Sequence, residues 1–183
     1  MVIIIAGLIG AGVSYYSLNI FHVDQPKIAK PALISQSPNN DEDDWNQILE
    51  DLDNLRAQAI MRKDKSLLEE IYSEHCQLRT LDSKLIQSLI SNNLAIFGLD
   101  FKTTSVELLS HRWSNNEEVV ELRVTDNRSK YTIRSIFEKQ TITEQKITEQ
   151  TIAERGEETW LVSLQKVGQK WLIANAQPAL DDR

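Results

Sequence analysis

The sequence is poor in the side chains that most often build metal centres and disulfides. Its 183 residues include a single cysteine, Cys76, and three histidines. One cysteine excludes a disulfide within the chain and leaves the redox compartment open. A zinc site of the usual kind needs several Cys or His ligands, so the sequence predicts no metal and no other cofactor.

Runs of basic residues are also missing. The chain carries 20 Lys and Arg against 27 Asp and Glu, and only Lys27, Lys30 and Asp24 of these precede Asp41. The residues from Asp41 onward therefore have a net charge of −8. Because nucleic acids and anionic lipids attract basic patches, neither is predicted as a partner of this part of the chain. G-x-S-x-G, phosphate-loop, H-E-x-x-H and EF-hand patterns are absent as well.

The first segment contains no charged side chain. Val2–Phe21 reads VIIIAGLIGAGVSYYSLNIF, which is about the 20 residues that an α-helix needs to cross a membrane. A signal peptide has a shorter apolar core and small residues at its cleavage site, whereas bulky residues follow here. The segment is followed by a proline-containing stretch and not by a pattern that would pack against it, which disfavours a buried core helix. We therefore expect a membrane anchor over residues 1–23, a Pro/Ser/Asn-rich linker over 24–40 and one folded domain over 41–183.

The folded domain begins with helical patterns. Apolar residues recur at helical spacing from Trp45 to Ile60, after an acidic run that complements the helix dipole. A second helix is predicted over Ser66–His75, where Ser66 and Glu69 have capping-box spacing. A third is predicted to start near Asp82 and to end at two asparagines, which tolerate the left-handed conformation.

After Asn93 the apolar period changes from helical to two, which indicates strands. Residues 94–113 are extended, with Gly98 as a predicted bulge. Residues 117–126 are predicted to form a hairpin with 130–139 across the turn DNRS.

The last part of the chain predicts a second hairpin. Trp160 and Trp171 are placed on one face of adjacent antiparallel strands, with Gly168 in the turn. The sequence thus predicts an α+β domain in which three helices cover one face of a curved antiparallel meander sheet.

This order of elements resembles the nuclear transport factor two-like superfamily, the cone-shaped fold of ketosteroid isomerase, scytalone dehydratase and many binding modules. More narrowly, it resembles membrane-anchored envelope proteins of actinobacteria. The matching positions are Trp45, Leu49, Leu52, Asp53, Arg56, Ala59, Asp64, Leu68, Tyr72, Trp160, Val162, Leu164, Gly168, Trp171 and Ile173. Most of them are core positions, so the resemblance implies a cystatin-like or ketosteroid-isomerase-like cone and says little about activity.

The orientation in the membrane follows from two opposed indications. Lys27 and Lys30 lie after the uncharged segment, and by the positive-inside rule alone they favour a cytoplasmic domain. The resemblance to envelope proteins implies the reverse. We expect a single-pass protein of the cell membrane with an extracytoplasmic domain.

The candidate chemical residues do not form a recognisable motif. Enzymes of the nuclear transport factor two-like superfamily use His/Asp or Tyr/Asp pairs inside the cone. The resemblance therefore makes Tyr72, His75, Asp100 and His111 the candidate catalytic residues here. His75 is placed on the apolar side of the second helix and His111 at a strand end, where structural roles are common. Asp53 and Arg56, on the first helix, are interpreted as part of a helix-surface or helix-to-sheet ion pair, with a substrate clamp as the alternative.

An imperfect five-residue repeat, ITEQKITEQTIAERG, occupies Ile142–Gly156. A period of five suits neither a helix nor a strand, and we interpret the segment as an elongated polar hairpin tip. A partner-binding arm is the alternative, because the isoleucines of the repeat can line one edge.

These observations favour a tethered binding module over an enzyme. We predict a non-enzymatic envelope module that binds a protein partner or a small apolar ligand. The alternatives are a pocket enzyme of the isomerase or dehydratase type and an accessory subunit of an envelope transport assembly.

Overall fold

The structure is a computed structural model that describes residues 44–114, 117–136 and 149–179. The chain divides into two units, Met1–Asp44 and Trp45–Arg183, and the description below concerns the second.

The predicted anchor Val2–Phe21 and the linker lie outside the described residues. Among the helices that the structure does describe, none combines the length and the apolar character needed to cross a membrane.

Two α-helices and one short 3₁₀ helix precede the strands. Helix α1 spans Trp45–Arg62, the 3₁₀ helix spans Ser66–Glu70, and α2 spans Gln77–Ser91. Helix α1 packs on the long strand β2 (Phe101–Ser114) and buries its apolar stripe there. The end of α2 is as predicted, since Asn93 adopts a left-handed φ of 50°.

Seven strands are described, and every pairing between them is antiparallel. They form a three-stranded sheet in the order β1-β4-β5 and a four-stranded sheet in the order β2-β3-β6-β7. The strands are β1 (Leu94–Phe97), β2 (Phe101–Ser114), β3 (Glu117–Arg128), β4 (Tyr131–Ser135), β5 (Glu149–Ile152), β6 (Arg155–Val167) and β7 (Lys170–Pro178).

Three chain paths, each of which bends once, contribute a strand to both sheets, and β7 belongs to the four-stranded sheet alone. The bends lie at residues 98–100, 129–130 and 153–154, and we call them together the corner. Ser129 fastens two of them, because its N–H donates to the Asp100 carbonyl at 2.9 Å and its hydroxyl donates to the Gly98 carbonyl at 2.9 Å. Gly98 has a φ of +74°, a conformation that favours glycine. The meander is therefore a curved sheet, as predicted.

The predicted hairpin across DNRS is wrong. Strand β3 pairs with β2 and β6, whereas β4 pairs with β1 and β5. Residues 129–130 carry the chain around the corner instead of reversing it. Gly98 belongs to the same corner, and the bulges of β2 lie further on, between Thr103 and Ser105 and between Leu108 and Ser110.

The predicted second α-helix is also wrong, because only Ser66–Glu70 is helical, as a 3₁₀ helix, and the residues after it form turns and a backbone bridge to β7. The N–H of Ser73 donates to the carbonyl of Ile173 on β7 at 3.0 Å, and the N–H of Ile173 donates to the carbonyl of Ile71 at 2.8 Å. Backbone groups engaged by a strand are lost to a helix. The capping-box prediction fails with it, since Ser66 donates its N–H and its hydroxyl to Asp64.

The last part of the five-residue repeat forms strands and not a hairpin tip. Residues 149–152 form β5, with Ile152 opposite Tyr131 of β4, and Arg155 begins β6. The interpretation as a tip is wrong for these residues, while residues 142–148 lie outside the described part of the chain.

The core is built by residues of the helices and of both sheets. Trp171 is buried and meets Trp45 edge to face at 5.1 Å between ring centroids. Trp160, by contrast, is half-buried. The turn between β6 and β7 contains Gly168 with a φ of 63°. The most deeply buried side chains include Ile60, Leu68, Tyr72, Ile86, Leu89, Val120, Leu122 and Leu164.

Candidate functional site

Tyr72 lies inside the cone, but its hydroxyl is committed to a structural carboxylate. It donates to Asp82 Oδ2 at 2.6 Å, and Asp82 is only 3% exposed. Arg56 of α1 binds the same carboxylate through two nitrogens, at 2.8 and 3.0 Å. The guanidinium of Arg56 also stacks over the ring of Phe101, 4.7 Å from its centroid. Asp82 therefore joins both α-helices and the segment after the 3₁₀ helix.

The other predicted chemical residues do not converge on Tyr72. His75 and Asp100 are exposed, so the placement of His75 on an apolar helical face is wrong. The reason is that the chain is no longer helical at this position. His111 lies on β2, its Nε2 is 2.8 Å from Glu118 Oε1, and its ring meets that of Trp45 at 6.4 Å.

Glu118 is held ionised at this end of the sheet. Partial burial raises the pKa of its carboxyl, but hydrogen bonds from Lys166 and His111 and their charges outweigh burial and bring the pKa below its usual value. Lys166 lies 3.1 Å from Glu118 and also over the ring of Trp171. The Glu118 carboxylate thus lies between the Lys166 ammonium and the His111 ring.

Asp53 is the carboxyl whose environment is most suited to proton chemistry. Burial raises its pKa to about 6, and the negative charges of Asp126 and Asp100 act in the same direction. The charge of Arg56 and a hydrogen bond donated by Thr103, at 3.2 Å, oppose this shift without cancelling it.

Beside Asp53 lies a polar cluster that the sequence analysis missed. Asp126 Oδ1 accepts hydrogen bonds from Arg155 at 2.8 Å and from the indole N–H of Trp160 at 3.0 Å. Arg128 of β3 lies directly opposite Arg155 of β6. The signal was present, because Val120, Leu122, Val124, Asp126 and Arg128 continue one alternating face.

A second notable feature is apolar and exposed. Strand β2 lies at the edge of the four-stranded sheet. It carries Leu108, Leu109 and Trp113, which are 41%, 40% and 71% exposed. We call these three residues the β2 edge surface. On the same strand, His111 contacts the buried Trp45, so the exposed Trp113 lies close to an aromatic part of the core.

No group of three or more metal-binding side chains is found in the part of the chain that the structure describes.

Two α-helices and a bent antiparallel meander define an α+β fold, as predicted. No protein-family model matches the sequence, and no curated protein matches it either. Solved structures do match.

Three of these structures illustrate the likeness. The intermembrane space region of the chloroplast protein ARC6 is 10% identical with a TM-score of 0.47, covering 79% of this chain and 100% of that one. A nuclear transport factor 2-like protein from Salmonella enterica is 10% identical with a TM-score of 0.35, covering 74% and 92%. A cystatin-like protein of unknown function from Nostoc punctiforme is 10% identical with a TM-score of 0.37, covering 74% and 90%. Likenesses of this order bear on neither ligand nor reaction, and the narrower resemblance to actinobacterial envelope proteins stays a prediction.

Proposed function

We propose that the domain is a non-enzymatic binding module that holds a protein partner at the β2 edge surface. The observation that carries this proposal is the 71% exposure of Trp113 on an edge strand that also exposes Leu108 and Leu109. Large exposed apolar side chains grouped on one edge strand are typical of an interaction surface, and tryptophan is enriched among the residues that dominate binding energy.

The partner's chemistry follows from the strand. Among the described residues β2 pairs with β3 on one side only, so its other edge presents backbone donors and acceptors. An extended segment of a partner protein can add alongside such an edge, while its apolar side chains cover Leu108 and Trp113. We therefore propose an extended, apolar peptide segment as the occupant.

The distribution of the polar groups supports binding over catalysis. The hydroxyl of Tyr72 donates to Asp82, the imidazole of His111 is paired with Glu118, and His75 is exposed. A general acid and a general base have to meet at one substrate, and these groups lie apart.

The test is photo-crosslinking from position 113 in cells, followed by affinity measurement with the purified partner. Trp113→Ala is expected to raise the dissociation constant by about 30-fold, the loss of affinity typical of a residue that dominates an interface. Ile90→Ala is the matched control, because Ile90 is 44% exposed on α2, away from β2. Equal affinity of Trp113→Ala and the parent protein would overturn the proposal.

We further propose that Val2–Phe21 tethers this module to the cell membrane, with the domain on the extracytoplasmic side. Its support is the uncharged length of the segment, which matches a membrane-spanning helix. A tether raises the effective concentration of the domain near a membrane-bound partner, which strengthens weak contacts.

Asp53 favours one alternative, a pocket enzyme of the isomerase or dehydratase type. A carboxyl with a pKa of about 6 in a partly buried site is suited to act as a general base near neutral pH. If Asp53→Asn abolished the cellular phenotype of a folded protein while Trp113→Ala did not, this alternative would replace the binding proposal.

A further inference from the structure

Two arginines face each other at the end of β3 that is remote from Trp113. Arg128 and Arg155 are direct partners in the antiparallel register of β3 and β6. Side chains at such positions lie on the same face, with Cβ atoms about 5 Å apart, and like charges placed this way repel. Arg128 is nevertheless only 8% exposed, and the side chain of Arg155 is 17% exposed.

The two guanidinium groups are unequally compensated. Arg155 binds Asp126 at 2.8 Å and Glu158 at 3.2 Å. Arg128 donates to the carbonyl of Ala153 at 3.0 Å and stacks over Tyr131, 5.0 Å from the ring centroid. No carboxylate lies within ion-pair distance of Arg128 in the described ranges. Arg128 thus carries a buried positive charge that forms no close ion pair there.

Each of these arginines also has an unused donor. The Nε–H groups of Arg128 and Arg155 are both buried and have no hydrogen-bond partner among the described residues. A buried donor left unsatisfied costs about 1–3 kcal/mol, so two on one face call for an acceptor. An oxyanion supplies both the acceptor atoms and the missing negative charge, and the guanidinium fork is suited to carboxylate and phosphate.

We propose that a small oxyanion, the carboxylate or phosphate group of a small molecule, binds between Arg128 and Arg155 and accepts hydrogen bonds from both Nε–H groups. The ring of Tyr131 forms an apolar wall of this site beneath Arg128.

The electrostatics of Arg128 favour a nearby anion. Burial lowers the pKa of its guanidinium, and the charge of Arg155 lowers it further, while Tyr131 and Glu158 partly oppose this. A bound anion would relieve both effects.

The site is independent of the proposed function. Trp113 is opposite Glu118 at the start of β3, whereas Arg128 ends that strand. Ten residues of extended chain separate Glu118 from Arg128, a distance of about 33 Å. Loss of anion binding and loss of partner binding can therefore be told apart.

The test uses the full chain with ¹⁵N-labelled arginine, followed by ¹H–¹⁵N spectra of the Nε–H groups. Sodium phosphate and sodium acetate are titrated separately at constant ionic strength, and Arg128→Lys and Arg155→Lys assign the signals. With phosphate, acetate or both, the two signals are expected to shift and saturate with one shared dissociation constant. The phosphate and acetate arms identify which oxyanion is preferred.

Arg128→Lys keeps the positive charge but loses the planar guanidinium group. It is expected to raise the dissociation constant of the anion about tenfold. Arg112→Lys is the control, since Arg112 is an exposed arginine paired with Glu121, and should leave the constant unchanged. Linear shifts shared with Arg112 would mean non-specific screening only and would overturn the proposal. So would Nε–H signals that exchange with ordered water and do not respond to either anion. Both readings are made on the parent protein.

Discussion

At the scale of single residues, the carboxylate of Asp82 is the main polar link between the helices. It is 3% exposed and accepts hydrogen bonds from Arg56 and Tyr72. Replacing a buried ion pair by apolar residues is often neutral, but removing one partner leaves a buried charge uncompensated. The network therefore makes the domain sensitive to single substitutions even if its net contribution is small.

The first prediction concerns Arg56. Arg56→Ala is expected to lower the free energy of unfolding by about 3–5 kcal/mol, because the charge of Asp82 is left buried without its cation. Urea denaturation measures the change. Arg79→Ala is the control, since Arg79 pairs with the exposed Glu69 and such surface pairs contribute at most about 1 kcal/mol. Similar losses in the two variants would contradict the assignment.

The second prediction concerns the titration of Asp53. The pKa of a solvent-exposed aspartate, as in the unfolded chain, is 3.8, and that of Asp53 in the folded protein is about 6. Between these pH values the folded state therefore binds more protons than the unfolded state. The contribution of Asp53 to stability therefore falls as the pH rises through this window. Asp53→Asn removes the effect and should be more stable than the parent above pH 6.

The measurement is the difference in urea midpoint between Asp53→Asn and the parent at several pH values. The difference is expected to grow in favour of the variant from about pH 4 to about pH 6 and then to stay constant. A difference that does not change with pH would show that Asp53 titrates normally.

At the scale of elements, the β6–β7 hairpin places its two tryptophans in different surroundings. Trp171 is 8% exposed and packs on Trp45, whereas Trp160 is half-buried and donates to Asp126. From the sequence alone, both tryptophans were predicted to be equally buried in the core. The difference arises because Trp171 lies beneath the start of α1, and Trp160 lies at the polar cluster opposite Pro178.

The third prediction follows from this difference. Trp171→Ala is expected to cost about 3–5 kcal/mol of unfolding free energy, as for other large buried aromatic residues. Trp160→Ala should cost clearly less, because part of its ring is already exposed to solvent. Thermal and urea unfolding of both variants test the order. If Trp160→Ala were the more destabilising, the assignment of the core would be wrong.

Elements with strong periodicity were predictable, and those shaped by tertiary contacts were not. The stripe from Trp45 to Ile60 and the alternation after Asn93 predicted α1 and the antiparallel meander. Ser66–His75 reads as a helix locally, but the backbone of Ile71 and Ser73 pairs with Ile173, which lies about a hundred residues later in the sequence. DNRS has turn composition, yet its serine fastens a bend through Gly98 and Asp100.

The candidate site was less predictable than the fold. Tyr72 and Arg56 were identified from the sequence, but their shared partner, Asp82, was taken only as the start of a helix. Asp126 and Arg128 were missed because polar residues in a strand suggest a solvent-facing surface. Their burial depends on Arg155 and Trp160 of β6, which bind Asp126. No local sequence pattern predicts a contact between strands so far apart in the chain.

At the scale of the whole molecule, charge and hydrophobicity are separated along the chain. The uncharged segment Val2–Phe21 precedes residues 41–183, whose net charge is −8. A net negative charge is repelled by anionic lipid headgroups, so the proposed membrane attachment rests on the N-terminal segment.

The fourth prediction is that Val2–Phe21 retains the protein in the membrane. After a carbonate wash, full-length protein is expected in the pellet, and a chain that begins at Asp41 is expected in the supernatant. Release of the full-length protein would refute the anchor. A mature chain with a shortened amino terminus would show cleavage instead.

The corner also determines how the domain can fluctuate. Because three chain paths run through residues 98–100, 129–130 and 153–154 into both sheets, opening of one sheet releases the ends of strands that belong to the other. Separate packed sheets would open independently and would show two levels of amide hydrogen exchange. Here the amides of β3 and β4 are expected to exchange with one common opening free energy, so that the two sheets form a single cooperative unit.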